Sequence, residues 1–176
     1  STSAADLTEG DRYAIGYSAG QYLATMHNHT FTQFGLLYNI LADKPQPDWA
    51  AYVAEHFRYY QGQVQALGLL SSDVLGRIDA LLVRMQPLLA AVRQGVFIHG
   101  DYHFNNLLQQ DGRVSAVLDF DWAASGDASW DFRIDRQLES EVSNSSEAFY
   151  AGYTSRRALP DGHGERLSLY RIGLYL

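Results

Sequence analysis

The side chains best equipped for chemistry lie in one stretch, His99-Gly100-Asp101-Tyr102-His103-Phe104-Asn105-Asn106, followed downstream by Leu118-Asp119-Phe120-Asp121. The first run fits the loop H-x-D-x-x-x-x-N, with glycine where arginine often stands. The second places Asp-Phe-Asp where an Asp-Phe-Gly element would follow. Phosphoryl transfer needs these groups: a carboxylate that orients the attacking hydroxyl, and two oxygen donors for the magnesium that neutralises charge on the transferred group. The pattern therefore assigns Asp101 as base and Asn106 and Asp119 as metal ligands, with Asp121 placed to support them from behind.

These residues need an element that brings them together. Leu107-Leu108 and Arg113 to Asp119 read as two strands, joined at Gln110-Asp111-Gly112, because Asp-Gly between apolar runs is a hairpin signal. Such a hairpin carries Asn106 and Asp119 to its open end, where two hard oxygens face one magnesium ion. The bland alternative, a turn-rich hairpin with solvated carboxylates, leaves unexplained why apolar strands end in several costly charges.

The combined pattern resembles the aminoglycoside phosphotransferase and choline kinase superfamily, which carries H-G-D-x-H-x-x-N, then I-D-F/W and G-D-P-x-x-D. Gly126-Asp127-Ala128-Ser129-Trp130-Asp131 supplies the third element, with alanine in place of the usual proline. The resemblance implies ATP as co-substrate and Asp131 as a buried brace for the catalytic loop. It also implies that His99 and His103 shape that loop without carrying protons. Glu139, Glu141 and Glu147 fall where the superfamily tends to place substrate-recognition acids. Ordinary solvated carboxylates are the favoured reading for those three.

The other half of such an enzyme is missing from the pattern. Lys44, the only lysine, lies in the proline-punctuated Asp43-Lys44-Pro45-Gln46-Pro47 and cannot sit in a central strand. Gly16 and Gly20 fall in a helical repeat and form no phosphate-covering loop. The expected fold is α+β, mostly helical with a short β-hairpin: the carboxy-terminal lobe alone of a protein-kinase-like fold, without the amino-terminal β lobe. The expected organisation is a single domain over residues 1–176, cut from a larger kinase whose amino-terminal lobe is its missing partner.

Composition agrees with a packed domain: 47% of residues are apolar and 13% aromatic. A net charge of −7 argues against a nucleic-acid partner. No apolar run is long enough to cross a bilayer and no export signal opens the chain, so a cytoplasmic protein without a membrane partner is expected.

Apolar residues at three- and four-residue steps predict a helix from Asp11 to His27, with His27 and His29 capping or packing at its end. His29 to Pro47 reads as an irregular connection. Helices follow from Trp49 to Leu67 and from Ser71 to Val92, the latter beginning at a Ser-Ser-Asp cap signal. Tyr52, Phe57, Tyr59 and Tyr60 cluster on the first of these. Core packing is the favoured reading for them, over stacking against a cationic ligand. Further helices are expected near Trp130 to Glu141, Phe149 to Arg156 and Glu165 to Tyr175, around a polar break at Ser143 to Ser146.

The favoured function is ATP- and magnesium-dependent phosphorylation of a small-molecule hydroxyl on an aminoglycoside, amino alcohol or sugar-like acceptor. The short run from Asp121 to Asp131 leaves no room for the long activation segment of protein kinases. Without the nucleotide cradle, the isolated chain is expected to be inactive, which keeps a non-catalytic binding module as the alternative. A two-metal phosphoesterase is a third reading, starting from Asp101-Tyr102-His103 and short of downstream ligands.

Overall fold

A computed structural model of the protein describes residues 8–134 and 145–176. Helix α1 (Glu9–Met26) starts at Thr8, whose hydroxyl accepts from Asp11 N at 3.1 Å while the Asp11 carboxylate accepts from Thr8 N at 3.0 Å. This reciprocal cap satisfies two amides that a helix start otherwise leaves unpaired. One face of α1 carries Gly16, Ala19, Gly20 and Leu23, all buried. It packs on α5 (Ser145–Thr154), and a Cβ at Gly16 would come within 2.6 Å of Ser145 O. Gly20 meets the Phe149 carbonyl in the same way. The glycines thus permit backbone contact between the helices and have no phosphate-binding role.

After α1 the chain runs through β1 (Thr30–Phe31), β2 (Gly35–Leu36) and the short α2 (Leu37–Leu41). Helices α3 (Trp49–Ala66) and α4 (Ser72–Ala90) are capped by Asp48 and Ser71 and lead to β3 (Gly95–Ile98). A 3-10 turn at Phe104–Asn106 opens the hairpin β4 (Leu107–Gln110) and β5 (Arg113–Val117). Strand β6 (Ala124–Gly126), a 3-10 segment (Ala128–Ile134), α5 and α6 (His163–Leu174) complete the described chain.

The expected long connection from His29 to Pro47 is corrected by the sheet. Strands β1, β3, β6 and β2 form one antiparallel sheet in that order, and two-residue strands with neither alternation nor β-branched runs give no local signal. The helix expected from Trp130 is 3-10 as far as Ile134, and its remainder lies outside the described residues. The expected hairpin forms, with Asp111 and Gly112 both at positive φ (52° and 71°), as a two-residue turn matched to strand twist requires.

Two apolar clusters hold these elements. One centres on Trp49, Phe57, Ile98, Trp130 and Tyr170, the other on Leu23, Tyr102, Phe132, Phe149 and Tyr153. Each such side chain, when fully buried, contributes about 1.5–3 kcal/mol. The loop after β3 runs between the clusters. Ser18 Oγ, on α1, accepts from Val114 N at 2.9 Å and pins the hairpin against the helix.

Candidate active site

Residues 99–106 leave β3 as a loop tied down at several points. The Asp131 carboxylate accepts from His99 N and Gly100 N, both at 2.8 Å, and from His27 Nε2 at 3.1 Å. Burial pushes its acidity toward neutrality, but the His27 hydrogen bond and charge and the two backbone amides outweigh that, holding the carboxyl below its usual range. His27 Nδ1 is in turn hydrogen-bonded to the Tyr153 hydroxyl at 2.9 Å. Tyr102, fully buried, donates to Ala19 O at 2.8 Å and fastens the loop to α1. Gly100 sits at φ 85° with the Trp122 carbonyl where a Cβ would go, so this position takes glycine alone.

The two loop histidines are oriented by the backbone. His99 Nδ1 accepts from Asp101 N at 3.3 Å, which leaves the Nε2 proton for Leu118 O at 2.8 Å. His103 Nδ1 accepts from Asn105 N at 3.2 Å, which leaves Nε2–H to donate to Asp101 Oδ2 at 3.2 Å. Asn106 Nδ2 donates to Asp101 O at 2.9 Å and reaches Oδ2 at 3.3 Å. Oδ2 is therefore engaged twice, by His103 and by Asn106. The Asp101 side chain is 41% exposed.

Leu118 N donates to Asn106 O at 2.8 Å, which sets the next residue, Asp119, beside Asn106 at the open end of the hairpin. Asp119 is one of three described non-glycine residues at positive φ (62°), local strain of a kind often found at functional sites. Asn106 Nδ2 is bound to Asp101, so its amide oxygen is the atom with which it could hold a cation. An amide oxygen and a carboxylate are the hard donors magnesium prefers, and two suffice because phosphate and water supply the rest. The donor set fits that ion. Among the described residues no group of three or more His, Cys, Asp or Glu gathers to hold a metal, as a two-metal hydrolase would need.

Beside Asp101 opens a cavity of about 550 Å³, lined by Tyr52, Tyr59, Tyr60, Trp122 and Trp130 among others. Three of the four clustered aromatics on α3 thus line this cavity, and only Phe57 is fully buried in the core. Lys44, Glu55, His56 and Arg133 also line it. His56 is pushed down to about 4 by burial and then by the Arg133 charge, so its ring is neutral at physiological pH. Asp121 lies apart, with Phe97 and Phe120 in a neighbouring shallow hollow. Glu147 is exposed in the first turn of α5 and lines neither space, while Glu139 and Glu141 lie outside the described residues.

His27, Tyr102 and Arg133 escaped the sequence reading as parts of the site. So did Asp127, whose Oδ2 accepts from Arg166 Nε at 2.6 Å and from the Tyr170 hydroxyl at 2.7 Å, locking α6 behind the cavity. Asp127 alone carried a signal, as the first acid of the Gly-Asp-Ala-Ser-Trp-Asp run.

The model of a phosphotransferase enzyme family matches residues 2–162. No curated protein matches the chain. Among solved structures, a protein from Thermobifida fusca assigned as a fructosamine-3-kinase aligns over 92% of this chain and 57% of its own, at 20% identity and TM-score 0.73. Aminoglycoside phosphotransferase APH(4)-Ia, solved with AMP-PNP and hygromycin B, aligns over 98% and 58% at 16% identity and TM-score 0.64. A macrolide 2'-phosphotransferase from Brachybacterium faecium aligns over 93% and 54% at 20% identity and TM-score 0.57. At these identities the likeness is one of fold, and the chain spans little more than half the length of the structures it matches.

Proposed function

The chain belongs to the phosphotransferase enzyme family, and on that premise we propose that it is the catalytic and acceptor-binding lobe of an enzyme that phosphorylates a hydroxyl of a small molecule with ATP. The observation that carries the reading is the state of Asp101: Oδ2 is held by His103 and Asn106, Oδ1 is left open, and the same side chain lines the aromatic cavity.

In this reading the acceptor rests in the cavity with its hydroxyl against Asp101 Oδ1, which orients it and takes its proton as the oxygen–phosphorus bond forms and the bond from the γ-phosphorus to the bridging oxygen breaks, releasing ADP. Asn106 Oδ1 and Asp119 are the groups that hold magnesium, which when bound neutralises charge on the transferred phosphoryl group. His103 fixes the carboxylate, and Asp131 fixes the loop. Most of the acceleration therefore comes from positioning and fixed charge.

No strand lysine or glycine-rich loop is available here to cradle the nucleotide phosphates. Lys44 lies in the loop between α2 and α3 and lines the acceptor cavity. The 176-residue chain by itself is accordingly expected to bind an acceptor but not to turn over ATP.

The test is transfer of label from γ-labelled ATP to an acceptor hydroxyl, measured on the chain as it stands and on the longest form that its gene encodes. Transfer by the longer form that is lost in Asp101→Ala and Asp119→Ala is the expected result. Either variant retaining a rate within about threefold of the parent, a fraction of a kcal/mol in barrier, refutes the role given to that residue.

A further inference from the structure

Gly100 lies between β3 and Asp101, and the peptides on its two sides are held from one place. Its N–H donates to Asp131 Oδ1 at 2.8 Å, and its carbonyl accepts from Arg133 Nη2. Asp131 and Arg133 sit two positions apart on the 3-10 segment, and the buried Phe132 between them anchors that segment against Phe149 and Tyr153. One bond fixes the peptide before the Gly100 Cα and the other fixes the peptide after it. Together they set both dihedral angles of a residue at φ 85°, in a region where glycine is free to move unless neighbours hold it.

Asp101 hangs on the second of those peptides, so the direction in which its side chain leaves the loop follows the Gly100 carbonyl. The other hold on that peptide, from Asp101 N to His99 Nδ1, is long at 3.3 Å. Arg133 is the firmer constraint, because a charged donor makes the stronger bond.

Arg133 is itself fixed. Its guanidinium carbon lies 4.2 Å from the centroid of Trp130, a buried ring that packs edge-on to Trp49 at 5.4 Å. A guanidinium can lie against a ring and still donate in its own plane, which an ammonium does less well. Burial lowers its affinity for a proton more than the nearby charges of Asp131 and Asp101 restore it, yet an arginine remains a cation throughout. Among the described residues no carboxylate lies within ion-pair distance of it, so the Gly100 carbonyl is what its donors engage.

We propose that Arg133 is a positioning residue for phosphoryl transfer: through the Gly100 carbonyl it sets where the Asp101 carboxylate points. The kinetic part of this inference rests on the phosphotransferase reading above, and the structural part does not.

Amide hydrogen exchange followed by heteronuclear NMR on the 176-residue chain tests the structural part. Arg133→Gln, uncharged and shorter, is expected to speed exchange at His99, Gly100 and Asp101 about tenfold, with the Val114 amide that donates to Ser18 unchanged. Arg133→Lys, which keeps the charge and a donor, is expected to recover part of the protection. In the unsubstituted chain the Arg133 Nη protons should give separate, slowly exchanging signals, which reads the bond without any variant. Averaged guanidinium signals, unchanged exchange at the three amides, or equal acceleration at Val114 each overturns the proposal.

Transfer from γ-labelled ATP by the longest encoded form, with gentamicin, hygromycin B and methyl galactoside as acceptors, tests the kinetic part. Arg133→Gln is expected to lower kcat about hundredfold with the acceptor KM within about threefold of the parent, and Arg133→Lys to regain about tenfold of that loss. An unchanged kcat, or a rise in KM alone, overturns the positioning role. Faster exchange at the three amides, with no transfer by the parent to any of the acceptors, supports the hold on Gly100 and counts against the phosphotransferase reading. Transfer by the parent that Arg133→Gln leaves intact supports phosphotransfer and overturns this inference.

Discussion

Asp131→Asn changes one oxygen to an NH2 group at a buried position, with almost no change in volume, so the effect reads out hydrogen bonding and charge without a cavity. The native carboxylate accepts three bonds, at 2.8, 2.8 and 3.1 Å, from His99 N, Gly100 N and His27 Nε2. An asparagine accepts through one oxygen only, and its NH2 then faces a donor. At least one buried N–H loses its partner, at a cost of about 1–3 kcal/mol, and the remaining bonds lose their charge assistance. Together these give about 3–5 kcal/mol, as for breaking a buried ion pair. Urea unfolding followed by tryptophan fluorescence is the assay, with a midpoint expected to fall by about 2 M at a slope of about 2 kcal/mol per molar. The difference should also depend on pH. The Asp131 carboxyl titrates below its usual value in the folded state, so its contribution is complete above about pH 4, the unfolded value, and is lost as pH falls through the lowered folded one. A loss under about 1 kcal/mol at neutral pH, or a gap between parent and variant that widens in acid, would refute the account of Asp131 as a charged brace.

Gly100→Ala is expected to lower stability by about 1–3 kcal/mol through strain at φ 85°, with collision against the Trp122 carbonyl adding to it, as read by thermal unfolding. Because Asp101 is the next residue, phosphotransfer in that variant should lose kcat more than acceptor affinity. Gly20→Ala forces α1 from α5 at the Phe149 carbonyl and should cost about 1–3 kcal/mol in denaturant titration, while exposed Gly62→Ala should be neutral or slightly stabilising. Tyr102→Phe removes the hydroxyl that donates to Ala19 O, a carbonyl that keeps its partner within α1, and should cost about 0.5–1.5 kcal/mol by the same measurement. Asn106→Ala should raise the magnesium concentration needed for half-maximal transfer, and an unchanged requirement would remove Asn106 from the metal site.

The loop of residues 99–106 and its hairpin were legible in the chain because they are local. Asp101, Asn106 and Asp119 are fixed relative to one another by a loop, two strands and a two-residue turn, all encoded by neighbours in sequence: an Asp-Gly pair, alternating apolar residues and a glycine at positive φ. The long helices were legible for the same reason, since apolar spacing and the Ser71 cap signal act over one or two turns, while the cap at Asp48 came from the structure. Strands β1, β2 and β6 were not, because segments of two or three residues take their structure from partners more than sixty positions away in the pairings of β1 and β2. Nor could the sequence show that His27 meets Asp131 across 104 positions, or that Tyr52, Tyr59 and Tyr60 turn toward Asp101 while Phe57 turns to the core. Tyrosines and phenylalanine share a helical pattern, and only the packing of α3 against the sheet and Trp130 decides which ring is wet. The chain by itself pointed to the reaction class proposed above, since that chemistry is written in residue types at close spacing. The acceptor's shape and charge were left to tertiary structure, because a binding cavity is made of side chains whose only relation is where the fold sets them down.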